Sequence, residues 1–237
     1  MGYFAKDAPM VGIFSAQHVV YLCFCAISIF LFIKNREYVR IRKEATERVF
    51  LGILLFQQIF LLYGWYFIVM DFDLAISLPF HMCRLTAVLA VIHLIFKIRA
   101  AQDASIFFSL FALASLFYPK DVYNFAHING LSYMIYHLQV VIMSIYSVMI
   151  LGWRPEFRAF KNAALIFTVY FPAAIITNAL TGGNYFYQNS RPFLSDLSSL
   201  AFGAFSYFGT LAGFALICFC WRAVSGRISA AAQHGQI

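Results

Sequence analysis

Long apolar runs recur along the whole chain, and they limit its possible folds more than any other feature of the sequence. The chain is 62% hydrophobic and only 11% charged, against about 25% charged residues in an ordinary soluble domain. A helix needs about 20 mostly apolar residues to cross a bilayer, and only helices and closed barrels satisfy their own backbone there. The sequence therefore predicts an all-α protein, a polytopic membrane helical bundle in which residues 1–237 form one integral membrane domain.

Seven transmembrane helices are predicted from these runs. They are Met10–Ile33, Phe50–Met70, Leu78–Phe96, Ala104–Tyr118, Gly130–Leu151, Ala163–Leu180 and Ser199–Trp221. The fourth is short for a span, and we expect it to be little tilted or to thin the bilayer.

The basic residues are divided unequally between the two sides of this predicted bundle. Thirteen lie on one side: Lys34, Arg36, Arg40, Arg42, Lys43, Arg48, Lys97, Arg99, Arg154, Arg158, Lys161, Arg222 and Arg227. Only Lys6, Lys120 and Arg191 lie on the other. The positive-inside rule then places the N-terminus outside and the C-terminus in the cytoplasm, which requires an odd number of spans. The net charge of +7 is typical of headgroup anchoring at span ends, so no nucleic-acid partner is expected.

A polar cluster stands at the predicted outer end of the third span, in Ser77-Leu-Pro-Phe-His81-Met-Cys83-Arg84. A central arginine costs about 2.5–3.5 kcal/mol on membrane-insertion scales, so ionisable groups inside a membrane indicate function. Ser77 is predicted as a helix cap and Pro79 as a residue of the first helical turn. Cys83 would then lie near a helix N-terminus with Arg84 beside it, and both features favour a thiolate.

The spacing within this cluster leaves two interpretations open. Residues two apart on a helix project about 200° from each other, so His81 and Cys83 are predicted to face different sides, with Arg84 near the face of His81. In one interpretation Cys83 is a nucleophile and its base is His137 or His127. In the other, His81 faces the cleft and Cys83 only packs.

Several further polar features fall on the same predicted outer side. His127 and Asn124 lie in the loop Pro119–Asn129, and His137 lies about two turns into the fifth span. Gly182 and Gly183 are predicted to end the sixth span, and Asn184, Tyr185 and Tyr187 follow them. We expect these groups to line one outward-open cavity. The candidate catalytic residues are Cys83, His81, His137 and His127, and the candidate substrate-binding residues are Arg84, Asn184, Tyr185, Tyr187 and Asn124.

A catalytic zinc site formed by His81, His127 and His137 is a weaker hypothesis. Such sites leave one coordination position open for water or substrate, but the chain has no short His-x-x-x-His spacing to support one. No metal and no other cofactor is predicted.

An ordered set of short motifs resembles a known family. These motifs are Leu78-Pro-Phe-His81-Met-Cys83, Pro119, Phe125-Ala-His127, Ile135-Tyr-His137, Trp153-Arg-Pro155 and Gly183-Asn184-Tyr185-Phe-Tyr187. Their order and spacing, from about Leu78 to Leu200, are similar to those of the bacterial YwaF / eukaryotic transmembrane protein 164 family. The chain differs from the bacterial pattern in Arg84, where an acidic or neutral residue is expected, and in Gly182-Gly183, which replaces a Gly-Thr pair.

The resemblance implies acyl transfer on glycerophospholipids. The eukaryotic branch is regarded as a transacylase in ether-phospholipid remodelling, with a cysteine at the position of Cys83 and a histidine as its helper. For this chain we expect a multi-pass protein of the bacterial inner membrane that acts as a phospholipid acyltransferase from the outer-leaflet side, with a membrane phospholipid as its substrate.

The alternative function is transport or binding of a solute or lipid in an outward-facing, histidine-rich cavity. Histidines, broken helices and Gly-rich turns occur in transporters as well, although no inverted repeat is evident here. The sequence does not specify the oligomeric state.

Overall fold

The computed structural model describes residues 2–191 and 194–233, with side chains described up to residue 225, and it is built from helices. They are α1 (Ala16–Lys34), α2 (Arg36–Ile41), α3 (Lys43–Val69), α4 (Leu74–Ser77), α5 (Met82–Phe96), α6 (Arg99–Phe117), α7 (Ile128–Met149), α8 (Phe157–Thr181) and α9 (Ser199–Gln233). Within the described residues, six of them (α1, α3, α6, α7, α8 and α9) are long and apolar enough to cross a membrane. The prediction of an all-helical membrane protein is confirmed.

Two helices differ from their predicted spans at the ends, for local reasons. α1 begins at Ala16 rather than Met10, because the Ser15 hydroxyl accepts a hydrogen bond from the His18 amide (3.3 Å) and caps the helix there. The residues before Ser15 form a largely non-helical N-terminal segment. α6 has 19 residues and is not the short span predicted at Ala104–Tyr118. Its early turns carry the buried polar side chains of Gln102 and Asp103, and an apolar-run criterion leaves such residues out.

The predicted third span is interrupted near its outer end. Leu78 precedes Pro79, and a proline disfavours helical backbone at the residue before it. Leu78 is accordingly extended, with φ −68° and ψ 155°, and α5 begins only at Met82, with His81 as its N-cap. The predicted start of this helix is therefore wrong: Ser77 is the last residue of α4, and Pro79 lies between the two helices.

Part of α3 is π-helical, at Gln57–Tyr63. π-turns inside α-helices are rare and occur frequently at functional sites. The Gln57 side-chain amide donates a hydrogen bond to the Ser132 hydroxyl of α7 (2.6 Å), which ties this segment to its neighbour. The turn immediately beyond it carries Trp65 and Tyr66, both of which are buried.

Hydrogen bonds between distant parts of the chain distinguish two opposite ends of the bundle. At one end, called here the N-terminal end, the Val11 amide donates to the Val122 carbonyl (2.8 Å) and the Asn124 amide donates to the Pro9 carbonyl (2.8 Å). At the other, called here the Glu47 end, the Glu47 carboxylate accepts hydrogen bonds from Lys97 (2.5 Å) and Tyr146 (2.9 Å). The N-terminal segment therefore lies against the loop between α6 and α7.

The core between α6, α8 and α9 is aromatic. The Phe214 ring of α9 lies 4.9 Å from the Phe107 ring and 6.0 Å from the Phe108 ring of α6, measured between centroids. The Phe167 ring of α8 lies 6.2 Å from the Phe214 ring. Contact between α6 and α7 instead includes small polar residues, as is common between membrane helices: the Ser144 hydroxyl donates to the Ser109 hydroxyl (2.8 Å).

Candidate functional site

A cavity of about 1150 Å³ lies towards the N-terminal end of the bundle. Ligand pockets commonly measure about 300–1,000 Å³, so this one is large enough for a lipid-sized molecule. Most of its lining is apolar, and its polar and charged lining residues are His81, Cys83, Arg84, Ser115, Lys120, Asp121, Asn129, His137, Asn184, Ser206 and Thr210. Further polar groups on aromatic side chains come from Trp65, Tyr66, Tyr118, Tyr123, Tyr133, Tyr136 and Tyr187.

His81 and Cys83 both line this cavity. The expectation that they face different sides assumed that both are helical, and His81 is not: as the N-cap of α5 it has φ −70° and ψ 131°. The extended backbone of His81 therefore allows both side chains to reach the same space. The His81 ring also makes an edge contact with the Tyr185 ring, 5.0 Å away between centroids.

Cys83 is the second residue of α5 and is partly buried. Its sulfur lies 4.0 Å from the Ser115 hydroxyl of α6. Since that hydroxyl donates its own proton to the Ala112 carbonyl (2.9 Å), it can only accept from the thiol. No side chain caps the N-terminus of α5, and the amides of the first turn of any helix have no partner within the helix.

His137 lies on α7, one per cent exposed, with its ring between those of Tyr133 (3.8 Å) and Tyr136 (4.1 Å). Its Nδ1 is 2.8 Å from the Tyr133 carbonyl oxygen. A carbonyl only accepts hydrogen bonds, so Nδ1 carries the proton of the neutral ring and Nε2 carries a lone pair. Nε2 makes no hydrogen bond to any residue that the structure describes, and His137 lines the cavity. This is the arrangement of a side chain that can accept a proton.

Arg84 is 8% exposed and is held by oxygen acceptors at the helix break. Its guanidinium donates to the Ile76 carbonyl (2.5 Å), to the Leu78 carbonyl (3.1 Å) and to the Tyr66 hydroxyl. Within the part of the chain that the structure describes, no carboxylate forms an ion pair with it. A buried charge without a counter-charge is costly, so Arg84 makes this wall of the cavity attractive to an anion.

Asn184 and Tyr187 line the cavity from the segment that follows α8. The Asn184 side chain is largely occupied by its own loop: its oxygen accepts from the Asn189 and Ser190 amides (both 2.9 Å), and its nitrogen donates to the Ser190 carbonyl (2.9 Å). Lys120 lies over the Tyr187 ring, 5.5 Å from its centroid. Burial raises the pKa of the Tyr187 phenol to about 12, so the hydroxyl remains a neutral donor.

Tyr185 is fully buried behind the cavity wall. Its hydroxyl accepts from the Leu78 amide (3.0 Å) and donates to the Leu74 carbonyl (2.6 Å). Its backbone is held by the Asn178 side chain, which accepts from the Tyr185 amide (2.7 Å) and donates to its carbonyl (2.9 Å). The structure therefore places this predicted substrate-binding residue where it braces the break between α4 and α5.

His127 and Asn124 also lie outside the cavity lining as the structure describes it. Nδ1 of His127 accepts from the Asn129 amide (3.2 Å) and caps α7, while Nε2 contacts the Ala5 carbonyl (3.0 Å). Burial lowers the pKa of His127. The Asn124 side chain accepts from the Ala126 amide (3.0 Å). Both residues organise the α6–α7 loop and its contact with the N-terminal segment.

Gly182 ends α8 in a left-handed conformation, φ +72°, as the Gly-Gly pair predicts. Gly183 is needed for a different reason, because a Cβ there would lie 2.7 Å from the Ala75 carbonyl oxygen of α4. Among the described residues, no group of three or more histidine, cysteine or acidic side chains is placed to hold a metal ion. The structure therefore does not assemble His81, His127 and His137 into the alternative zinc site.

Sequence reasoning missed several groups in the cavity. The role of Tyr66 could have been predicted, because a buried arginine needs hydrogen-bond acceptors and often lies against an aromatic ring. Tyr133 stands four residues before His137 and shares its helical face. Nothing in the sequence pointed to Trp65. In the structure Trp65 lines the cavity, and its ring nitrogen is buried without a hydrogen-bond partner among the described residues.

The chain was compared with models of protein families. The model of the TMEM164 family matches residues 13–222. The chain belongs to the TMEM164 family. This confirms that part of the resemblance, whereas membership of a YwaF branch stays a prediction. A search of curated proteins and a search of solved structures each gave no match.

The match to the TMEM164 family covers every helical residue that lines the cavity. Together with the six helices that could cross a bilayer, it makes the chain a multi-pass integral membrane protein.

Proposed function

We propose that this TMEM164-family protein is an integral-membrane transacylase that transfers fatty acyl groups between glycerophospholipids through a thioester on Cys83. The observation that carries the proposal is the meeting of three groups on one cavity: the Cys83 thiol, the free Nε2 of His137 and the buried guanidinium of Arg84. Acyl transfer needs a nucleophile, a base and donors for the developing oxyanion.

In the first half of the reaction, the Cys83 sulfur bonds to the carbonyl carbon of a phospholipid ester and the thiol proton passes to Nε2 of His137. The carbonyl oxygen becomes an oxyanion, which the uncapped amides at the start of α5 stabilise. When the carbon–oxygen bond of the ester breaks, the His137 imidazolium gives its proton to the leaving oxygen. A lysophospholipid departs, and the acyl group remains on sulfur.

In the second half, the hydroxyl of another lysophospholipid attacks the thioester carbonyl. His137 takes the hydroxyl proton, the carbon–sulfur bond breaks, and the proton returns to sulfur. Arg84 holds the phosphate of each lipid through its guanidinium, which binds phosphate well in geometry and charge. His81, beside the thiol, is a second candidate for the proton transfer.

We also propose that the chain crosses the bacterial inner membrane seven times, with its N-terminus outside. Six crossings are the long helices, and the additional one, third along the chain, is α5. It is preceded by α4 and the extended residues around Pro79. Support comes from the thirteen-to-three distribution of basic residues and from the position of the N-terminal segment at the same end as the cavity. The substrate would then be drawn from the outer leaflet.

Transport or binding of a solute is the second candidate, and the interrupted helix at α4–α5 favours it. Transporters bind substrates at such breaks, where helix N-termini face the ligand. A carrier would take up and release its ligand unchanged, whereas a transacylase leaves an acyl group on the protein during turnover.

The decisive measurement is acyl exchange between phospholipids by purified protein, combined with the mass of the intact chain. The wild type should exchange acyl chains and show an acyl adduct that hydroxylamine removes. Cys83→Ser should abolish both while leaving the fold intact, because the change in volume is small. His137→Ala should slow exchange by about 10²–10⁴-fold, the usual range for positioned proton transfer.

Cys218→Ser is the matched control, since Cys218 is a buried cysteine on a different helix and its replacement should behave like the wild type. Full exchange activity in Cys83→Ser, together with its loss in His81→Ala and His137→Ala, would exclude the thioester and leave Cys83 as a packing residue.

A further inference from the structure

The cavity extends well beyond its polar end, along α9. Lining residues on α9 run from Phe202 to Ile217, a length of about 22 Å at about 1.5 Å per residue. Half the hydrocarbon thickness of a bilayer is about 15 Å. The part of the cavity along α9 is therefore longer than the acyl region of one leaflet. Its apolar lining includes Phe205, Gly209, Gly213, Phe214 and Ile217.

The cavity reaches the surface of the protein between α6 and α9. These helices meet where Phe214 packs on Phe107, 4.9 Å apart. Nearer the N-terminal end, Leu110 (39% exposed) on α6 and Phe205 (53% exposed) on α9 both line the cavity. Exposed lining residues mark where a cavity opens, so these two mark an opening between the helices, and Met10 (53% exposed) and Tyr118 (50% exposed) mark another at the N-terminal end. We call the space between the two helices the α6–α9 slot.

Two glycines on one face of α9 form a wall of this slot. Gly209 and Gly213 are four residues apart, so they lie one turn above the other. A Cβ added at either position would have no atom within 4 Å, and both glycines line the cavity. The space beside these two glycines is therefore empty, and a larger side chain at either position could fill it without a clash.

The polar end and the slot together form an amphipathic cavity. At one end Arg84 is a buried cation without a carboxylate partner among the described residues, and Nε2 of His137 makes no hydrogen bond there. At the other end the lining is mainly apolar, with Ser206 and Thr210 as its hydroxyl groups, and it opens sideways between two helices.

We propose that a phospholipid enters sideways through the α6–α9 slot and that its acyl chain lies along Gly209 and Gly213. The identity of the ligand rests on the proposed function. Because these two glycines set how much chain the slot can hold, they make α9 the element that selects acyl-chain length. Filling the slot should shift the preference of the protein towards shorter chains.

The test uses two variants and one matched control. Gly213→Phe and Gly209→Leu fill the slot at two heights. Gly52→Phe is the control, because Gly52 is an exposed glycine of α3 whose added Cβ would also have no atom within 4 Å and which does not belong to the cavity lining. All three proteins should retain the melting temperature of the wild type, and measuring it shows that the fold is intact in each variant.

The first readout needs no turnover. A phosphatidylcholine with a photoactivatable diazirine at the end of one hexadecanoyl chain is irradiated with the purified protein, and the labelled peptides are mapped. We expect labelling between residues 205 and 217, several-fold weaker in Gly213→Phe and unchanged in Gly52→Phe. Labelling spread over lipid-facing residues of all helices, unaffected by Gly213→Phe, would overturn the inference.

The second readout is the ratio of hexadecanoyl to hexanoyl exchange, which should fall in Gly213→Phe and Gly209→Leu and stay constant in Gly52→Phe. A constant ratio in all variants, with exchange intact, would reject the slot and leave the transacylase standing. Labelling along α9 in a protein that exchanges no acyl chains would support the slot and reject the transacylase.

Discussion

Arg84 is a buried charge at the end of a helix in a largely apolar bundle. Three oxygen acceptors hold its guanidinium, and the Tyr66 ring lies 4.8 Å from its central carbon, but none of these groups neutralises it. The same contacts attach α5 to the residues around Ile76 and Leu78. One residue thus links the broken backbone to the electrostatics of the cavity.

Replacing this arginine should weaken binding of anionic headgroups. Arg84→Gln should raise the KM for phospholipid by about 10–100-fold, because a hydrogen bond to a charged group contributes about 1.5–3 kcal/mol. Arg84→Lys should fall between Gln and the wild type, since lysine keeps the charge and loses the planar fork. Steady-state exchange at varied lipid concentration measures both.

Lys6→Gln is the control for general loss of positive charge at this end, because the Lys6 ammonium pairs with the Asp71 carboxylate (3.9 Å) and neither residue belongs to the cavity lining. An unchanged KM in Arg84→Gln, with the melting temperature of the wild type, would remove Arg84 from substrate binding.

Sequence reasoning identified the polar residues of the cavity better than it identified their orientation. Cys83, His81, Arg84 and His137 all line one space, and their rarity in an apolar chain was a sufficient signal. The relation between His81 and Cys83 depends on one non-helical residue, which helical periodicity cannot show. Nor could composition reveal that His127 caps α7, because a histidine that caps a helix and a histidine that lines a cavity look identical in the sequence of a loop.

At the scale of elements, the loop between α6 and α7 packs against the start of α7 at Gly130. A Cβ on Gly130 would lie 2.5 Å from the Tyr123 carbonyl oxygen and closer still to that of Asn124. Both are backbone atoms, and the same stretch is paired with Val11 and Pro9 of the N-terminal segment. The loop therefore cannot move aside without breaking its backbone hydrogen bonds to the N-terminal segment.

Gly130→Ala should destabilise the protein by about 1–3 kcal/mol, the usual cost of overpacking, and should loosen the N-terminal segment. Thermal unfolding in detergent and limited proteolysis before residue 15 measure the two effects. Gly52→Ala, where nothing lies within 4 Å, should leave both unchanged. Equal melting temperatures for the two variants would show that the loop relaxes freely.

Helix existence was predictable from apolar runs, but helix ends were set by single contacts. Ser15 starts α1 and Gly182 ends α8, as capping rules indicate. Predicting the break at Pro79 required knowing which of two effects of proline dominates. It stabilises a first helical turn, and it also restricts the residue before it; at Leu78 the restriction prevailed, since Tyr185 and Arg84 bind the backbone groups that the break exposes.

At the scale of the whole molecule, the two ends of the bundle carry different chemistry. The N-terminal segment, the loop before α7 and the segment after α8 gather at the end with the cavity. The Glu47 end has ion pairs and the buried carboxylate of Asp103, which accepts hydrogen bonds from Trp153 (2.7 Å) and Asn162 (2.8 Å). The predicted spans and the distribution of basic residues indicated this grouping, but not that the N-terminal segment folds over a loop about 110 residues away.

Single-cysteine labelling should establish which end faces outward. In a background whose five native cysteines are replaced by serine, Ser190→Cys should react with a membrane-impermeant maleimide in intact cells. Asn35→Cys, in the exposed turn between α1 and α2, should react only after permeabilisation. The reverse pattern would invert the proposed topology.

The π-helical segment of α3 also constrains which changes in chain length the protein can tolerate. A π-turn holds one more residue than an α-turn, and each residue of an α-helix rotates the next by about 100°. Deleting one residue between Gln57 and Tyr63 would therefore restore a regular helix and turn Trp65 and Tyr66 away from their present neighbours. The hydroxyl of Tyr66 would leave Arg84, although every side chain of the cavity was still encoded. In this stretch the number of residues is itself under constraint, independently of their identity.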